Sequence, residues 1–258
     1  MTLASRLSFK PLLQRSAVAI AMATLCAGAS AALQPFTFNP AAAGLAGASF
    51  DADNILISDY STVLLSGSTF SETGYLSVSA FQLGGTTIIP AGLNSTWGMY
   101  IKFNGAGTTT SPTTGTFTSL DYTLYGYSGS AAFGFSGNTP TESATGEVAL
   151  ASGSLIYGST SSTGSGPTFT PSANANLTFD TSGAPVGFFF DPKPFYNLAI
   201  TAFTNTSSEV ETFTGGFRIR QGGGSINFAT SPIPEPDTYA LMLGGLAAAG
   251  FVARRRRA

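Results

Sequence analysis

The stretch Tyr75–Leu83, YLSVSAFQL, sets Tyr75, Ser77, Ser79, Phe81 and Leu83 against Leu76, Val78, Ala80 and Gln82. Side chains of a strand point alternately to its two faces, so a period of two predicts a strand with one face buried. Short apolar or aromatic runs recur along the chain at 55–65, 97–103, 117–127, 147–158, 176–180, 195–203, 210–220 and 225–229. Clusters of Gly, Ser, Thr, Asn and Pro separate them, as turns do. Between the two termini nothing predicts a long helix. Residues 41–50 could form a turn or two, weakened by Gly44 and Gly47. The expected fold is all-β: a single antiparallel β-sandwich or jelly-roll-like domain over residues 32–230. A β-solenoid would need a fixed repeat, and the sequence has none. The Ser/Thr-rich segments 108–116, 158–172 and 204–209 read as loops, and GGGS (Gly222–Ser225) as a turn.

Composition supports a packed core. Hydrophobic residues make up 43% of the chain and aromatics 12%, which is enough to resist disorder despite the Gly/Ser/Thr content. Charge is scarce and partitioned. Lys102, Lys193, Arg218 and Arg220 are the basic residues of the middle, against eleven of the thirteen acids. A body of this sign repels nucleic acid.

The N-terminal 31 residues read as a signal peptide. Arg6, Lys10 and Arg15 precede an apolar run from Ala17 to Ala27. Ala29 and Ala31 then supply the small residues of a signal peptidase site. Cys26, the single cysteine, falls inside this leader, and the chain has no histidine. The mature protein is therefore expected to hold together without disulfides.

The far end, residues 231–258, is organised differently. Pro232, Pro234 and Pro236 alternate, which favours an extended segment. Tyr239–Ala253 is uncharged and apolar, and Arg254, Arg255, Arg256 and Arg257 follow. As a helix at 1.5 Å per residue it would reach about 22 Å, short for a bilayer unless the arginines snorkel. Arginines favour the cytoplasmic side, so a transmembrane helix here would leave the body outside the inner membrane.

A Pro-Glu-Pro, an apolar helix and a terminal arginine cluster, in that order, resemble the PEP-CTERM sorting signal of Gram-negative bacteria. The resemblance implies that Pro234, Glu235 and Pro236 form the motif recognised by an exosortase, an integral membrane cysteine transpeptidase. It further implies a membrane-held intermediate facing the periplasm and a final location at the cell surface or in the extracellular matrix. The body is more loosely similar to flocculation-associated PEP-CTERM proteins, through FDADNILISDYSTVLL (50–65), FSETGYLSVSAFQL (70–83) and WGMYIKFNGAG (97–107). That similarity implies a role in aggregating cells within exopolysaccharide.

Catalytic chemistry has few parts to work with. Without histidine or a mature cysteine, neither a Ser-His-Asp triad nor the usual zinc site can be assembled. No cofactor motif is present, so a non-enzymatic protein is expected. A glycoside hydrolase built on two carboxylates is the remaining enzymatic alternative, and a carbohydrate-binding module is the binding alternative. Asp51 and Asp53 raise calcium, although an Asx-rich turn explains them as well. Asp59, Asp180 and Asp191 read as strand-end residues. Trp97, Tyr100, Tyr122, Tyr125 and Tyr127 could stack on sugar rings, but core packing is the commoner use of such aromatics. In a regular strand Tyr125 and Tyr127 face one side and Tyr122 the other.

Overall fold

The structure, a computed structural model, describes residues 33–165, 168–196, 198–204 and 209–229. The expected signal peptide with Ala29 and Ala31, and the tail with Pro234–Pro236, the apolar helix and Arg254–Arg257, lie outside the described residues.

The described residues form fifteen strands: β1 (Phe36–Phe38), β2 (Phe50–Ala52), β3 (Asn54–Ser66), β4 (Thr69–Leu83), β5 (Thr86–Ile88), β6 (Trp97–Ser111), β7 (Thr114–Ser128), β8 (Phe133–Ser136), β9 (Thr139–Glu142), β10 (Thr145–Thr163), β11 (Thr170–Thr178), β12 (Phe189–Asp191), β13 (Leu198–Thr204), β14 (Val210–Phe213) and β15 (Gly216–Ala229). Eight of them, β3, β4, β6, β7, β10, β11, β13 and β15, pair antiparallel in chain order. β15 then returns to pair with β3, from Gly216 opposite Leu64 to Ile226 opposite Ile55. The sheet closes on itself as an up-and-down barrel.

All-β and antiparallel are as the sequence predicts; the sandwich or jelly roll is not what forms. The reason is β15. One edge runs along β3, and the other binds β13 over Gly223–Ala229 and β14 over Gly216–Ile219. The last long strand thus consumes the edge that a sandwich would leave open. GGGS is no turn either. Gly222, Gly223 and Gly224 pair with Asp59, Ser58 and Ile57 inside β15, next to a bulge at Gln221. The Ser/Thr segments expected as loops are mostly strand: β6 and β7 run to a tight turn at Pro112–Thr113, and β10 continues to Thr163. Thr is β-branched and suits a pleated surface, so polarity alone misreads it.

The barrel has a sealed floor. β12, β1 and β2 form a small sheet across the end where β4 finishes and β3 begins. Phe36, Phe38 and Phe188 are buried there. The Phe38 ring centroid lies within 6.2 Å of those of Phe36, Phe50, Phe81, Phe188, Phe189, Phe195 and Phe228. A 3-10 turn at Pro40–Ala43, ended by left-handed Gly44, turns the chain beneath this cluster. Outside the wall, the β8–β9 hairpin lies over a row of tyrosines, with the Phe133 ring 5.5 Å from Tyr100 and 5.8 Å from Tyr60. Thr62 Oγ1 and Arg218 Nη1 donate to the Asn138 and Gly137 carbonyls of its turn.

Candidate functional site

Alternation gives the barrel two unlike surfaces. Inward positions are Ile55, Ile57 and Val63 on β3, Phe70, Leu76 and Val78 on β4, and Ile101 and Phe103 on β6, all buried. β7 adds Phe117, Leu120 and Leu124, and β15 adds Phe217, Ile219, Ile226 and Phe228. The bulge at Gln221 shifts the inward parity of β15 from odd to even, so both halves present apolar residues inside. Away from the tyrosine row under the β8–β9 hairpin, outward positions are mostly small and polar, such as Thr116 and Thr118 on β7 and Ser154 and Ser159 on β10. A barrel embedded in lipid shows the reverse pattern, apolar outside and polar within. This wall faces water.

The interior is not completely filled. A cavity of 220 Å³ is lined from Phe179 and Phe228 at the floor to Leu65, Thr113 and Phe169 at the opposite end. That end carries the β6–β7 turn and the ends of β3, β10 and β11, and forms the mouth. Eight strands leave an interior wide enough to pack with side chains or to hold one small ligand.

Two acids break the apolar lining. Asp59 occupies an inward position of β3 and is 3% exposed. Glu72 projects inward from β4 and, like Asp59, lines the cavity. Ser61 lies at the intervening inward position of β3, and its Oγ donates to Glu72 Oε1 over 2.9 Å. Gly74, opposite Ser61, makes room: a Cβ there would come within 2.5 Å of Ser61 Cβ. Asp59 Oδ1 is buried without a hydrogen-bond partner. Burial pushes the Glu72 carboxyl up to about 7, partly offset by the Ser61 hydroxyl. Burial, and then the nearby Glu72 charge, hold Asp59 well above the usual aspartate range. Near neutrality the pair retains protons that exposed carboxyls would have lost. Among the described lining residues, the other titratable group is Tyr122, whose hydroxyl donates to the Thr178 carbonyl over 2.8 Å.

Asp59 is therefore no strand-end residue, and Glu72 was not singled out in the sequence. The signal was available. In ILISDYSTV (55–63), Asp59 shares the parity of Ile55, Ile57 and Val63, and Glu72 shares that of Phe70, Leu76 and Val78. A carboxylate at a core-facing parity is expensive and marks a place worth inspecting.

The other sequence candidates go elsewhere. Asp51 accepts from Thr37 Oγ1 over 2.6 Å, whereas Asp53 accepts from the Gly84 amide over 2.6 Å. The two carboxylates thus anchor separate contacts, one to β1 and one to the β4–β5 turn, and no group of three acids, histidines or cysteines gathers among the described residues. Trp97, Tyr100, Tyr122 and Tyr127 are buried, and Tyr125 stacks on Tyr100 at 5.3 Å. Four of the five are thus enclosed, and Tyr125 is half-buried with one face on Tyr100, so they form no open platform for a sugar ring. As expected, Tyr122 points inward and Tyr125 and Tyr127 outward. Asp180 follows β11 and Asp191 ends β12.

The tail is settled by comparison. Residues 232–257 match the PEP-CTERM protein-sorting motif. The chain carries a PEP-CTERM sorting signal. That PEP-CTERM motif implies export, a membrane-anchored intermediate, and processing by an exosortase-type membrane enzyme. No curated protein and no solved structure matches the chain. Among the described residues, no helix is long and apolar enough to cross a membrane; the span expected at 239–253 lies outside them.

Proposed function

We propose that this PEP-CTERM chain is a non-enzymatic protein of the cell surface or extracellular matrix, which helps cells form flocs or biofilm in contact with exopolysaccharide. The observation that carries the proposal is the sorting motif at 232–257, joined to a barrel whose wall is polar and rich in hydroxyls. Such a wall suits hydrogen bonding to a hydrated, neutral polysaccharide rather than aromatic stacking, since Tyr100 and Tyr127 are covered by the β8–β9 arm. A glycoside hydrolase reading has less support. Its two carboxylates need a wall that hydrogen-bonds sugar hydroxyls, but Asp59 and Glu72 are framed by Val63, Leu76 and Ile101.

Deleting Pro234–Ala258 tests the reading. Surface display, followed by labelling of intact cells, should fall to background, and cell aggregation should decline with it. Undiminished display and aggregation after the deletion would sink the proposal.

A further inference from the structure

The acid pair is costly to maintain. An apolar barrel would be more stable with leucine or valine at both positions, because a buried carboxyl without full hydrogen bonding loses its hydration. Ser61 satisfies one oxygen of Glu72, and Asp59 Oδ1 is left without a partner, 3% exposed and facing the cavity. The space beside it is maintained by small residues. Gly222 of β15 lies opposite Asp59, and Gly74 of β4 lies opposite Ser61. A volume of 220 Å³ beside an orphaned acceptor is a receptor for a donor.

We propose that the barrel interior binds a small apolar primary amine, with its ammonium group seated between Asp59 and Glu72 and its hydrocarbon part among the surrounding aliphatic and phenyl side chains.

Size, polarity and charge each narrow the ligand. An apolar cavity of about 150 Å³ accepts benzene, so this one fits a molecule of roughly ten non-hydrogen atoms. Around the acids, Val63, Leu76, Ile101 and Phe103 offer no hydrogen bonds, and the hydroxyls of the lining, such as Thr113 and Ser162, are gathered at the mouth, so a sugar seated at the acid pair would leave most of its hydroxyls unpaired. The described lining contains no lysine or arginine, and β13 (Leu198–Thr204) contains no ionisable residue, so a carboxylate ligand would meet two acids and no counter-charge. An ammonium has three donors and a positive charge. It can satisfy Asp59 Oδ1, bind Glu72 and leave the Ser61 contact in place. Entry is through the mouth, past the Pro112–Thr113 turn and Phe169.

The titration of the pair supports the choice. Asp59, Glu72 and Tyr122 are the titratable groups among the described lining residues, and the Tyr122 hydroxyl is engaged with Thr178. Glu72 titrates near neutrality, pushed up to about 7 by burial. An ammonium stabilises the ionised pair, so its binding should expel a proton and tighten as pH rises through that range. An alkylamine stays protonated across it, as a lysine does.

The test is calorimetric titration of the intact purified protein with 2-phenylethylamine, 2-phenylethanol and 3-phenylpropanoate, which share a hydrocarbon body and differ in the head. The amine should bind saturably at one site, with affinity rising about tenfold or more between pH 5 and pH 8 and with proton release visible as a dependence on buffer ionisation heat. Glu72→Gln and Asp59→Asn should each weaken amine binding about tenfold and flatten its pH dependence, with near-UV circular dichroism confirming an intact barrel. Binding of phenylpropanoate as tight as that of the amine would overturn the proposal. So would equal affinity for amine and alcohol at pH 8, or the absence of saturable amine binding by natively folded protein.

Discussion

The floor and the mouth of the barrel are closed by opposite chemistries. At the floor, Phe38 is wholly buried among seven other phenylalanine rings, and Phe179, Phe195 and Phe228 pack on one another at 4.9 to 5.9 Å. At the mouth, exposed hydroxyls face each other instead: Ser111 and Thr114 at 2.7 Å, Thr110 and Thr114 at 3.0 Å, Ser161 and Ser172 at 2.7 Å. Burying a phenylalanine contributes about 2–3 kcal/mol. A hydrogen bond between exposed hydroxyls replaces bonds to water and contributes close to nothing net. The floor therefore holds the barrel shut, whereas the mouth only shapes the way in. The acid pair lies between them, where the wall is still apolar but no longer filled.

That contrast can be broken from the floor first. Phe38→Ala should cost about 4 kcal/mol, through lost burial and an unfilled cavity, and urea unfolding would show it as the largest drop in midpoint of the series. Midway, Gly74→Val should cost about 2–3 kcal/mol, because its Cβ would collide with Ser61 at 2.5 Å and the neighbouring strand must shift. A Gly74→Val variant as stable as the parent would mean that β3 and β4 are less closely packed than described.

The acid pair should respond to pH rather than to packing. Both carboxyls bind protons more tightly in the folded than in the unfolded chain, so the folded state carries extra protons between the ordinary Glu value of 4.5 and about 7. Stability should then fall as pH rises through that window, having been fully present below it. Glu72→Gln should remove much of that fall and leave the variant about 2 kcal/mol more stable than the parent at pH 8 relative to pH 4. Urea midpoints at pH 4, 6 and 8 would check it, and parallel profiles for the two proteins would contradict it. The smallest effect belongs to the mouth. Thr110→Ala removes an exposed hydroxyl pair and should change stability by no more than about 0.5 kcal/mol. A larger loss by the same unfolding assay would show that the mouth is structural after all.

Much of the strand content was legible, and its misreadings are instructive. β3, β4, β6 and β7 announce themselves through alternation. Their ends do not, because runs such as Thr108–Ser111 and Gly158–Thr163 have loop composition and strand conformation. A partner strand supplies the hydrogen bonds that make a Ser/Thr run extended, and that partner is remote in sequence: Thr160 lies opposite both Gly115 and Ala173. Of the site, Asp59 and Glu72 could have been suspected from parity, but parity does not say which face is enclosed. Ser61 becomes part of it only because Gly74 brings β4 so close.

By itself, the sequence determined where strands begin to be possible, which face of each is apolar, and that the tail carries sorting instructions. Each depends on neighbours a few residues apart, on side-chain alternation or on a short ordered motif. Tertiary structure alone decided that the sheet closes. Closure rests on β15 meeting β3 across more than 150 residues, Ile226 opposite Ile55, and no local preference encodes a pairing between strands so distant in sequence. The β3–β4 hairpin already places Asp59 and Glu72 on one face; closure then encloses them in a cavity, because only a curved sheet with no edges makes every inward face share the same space.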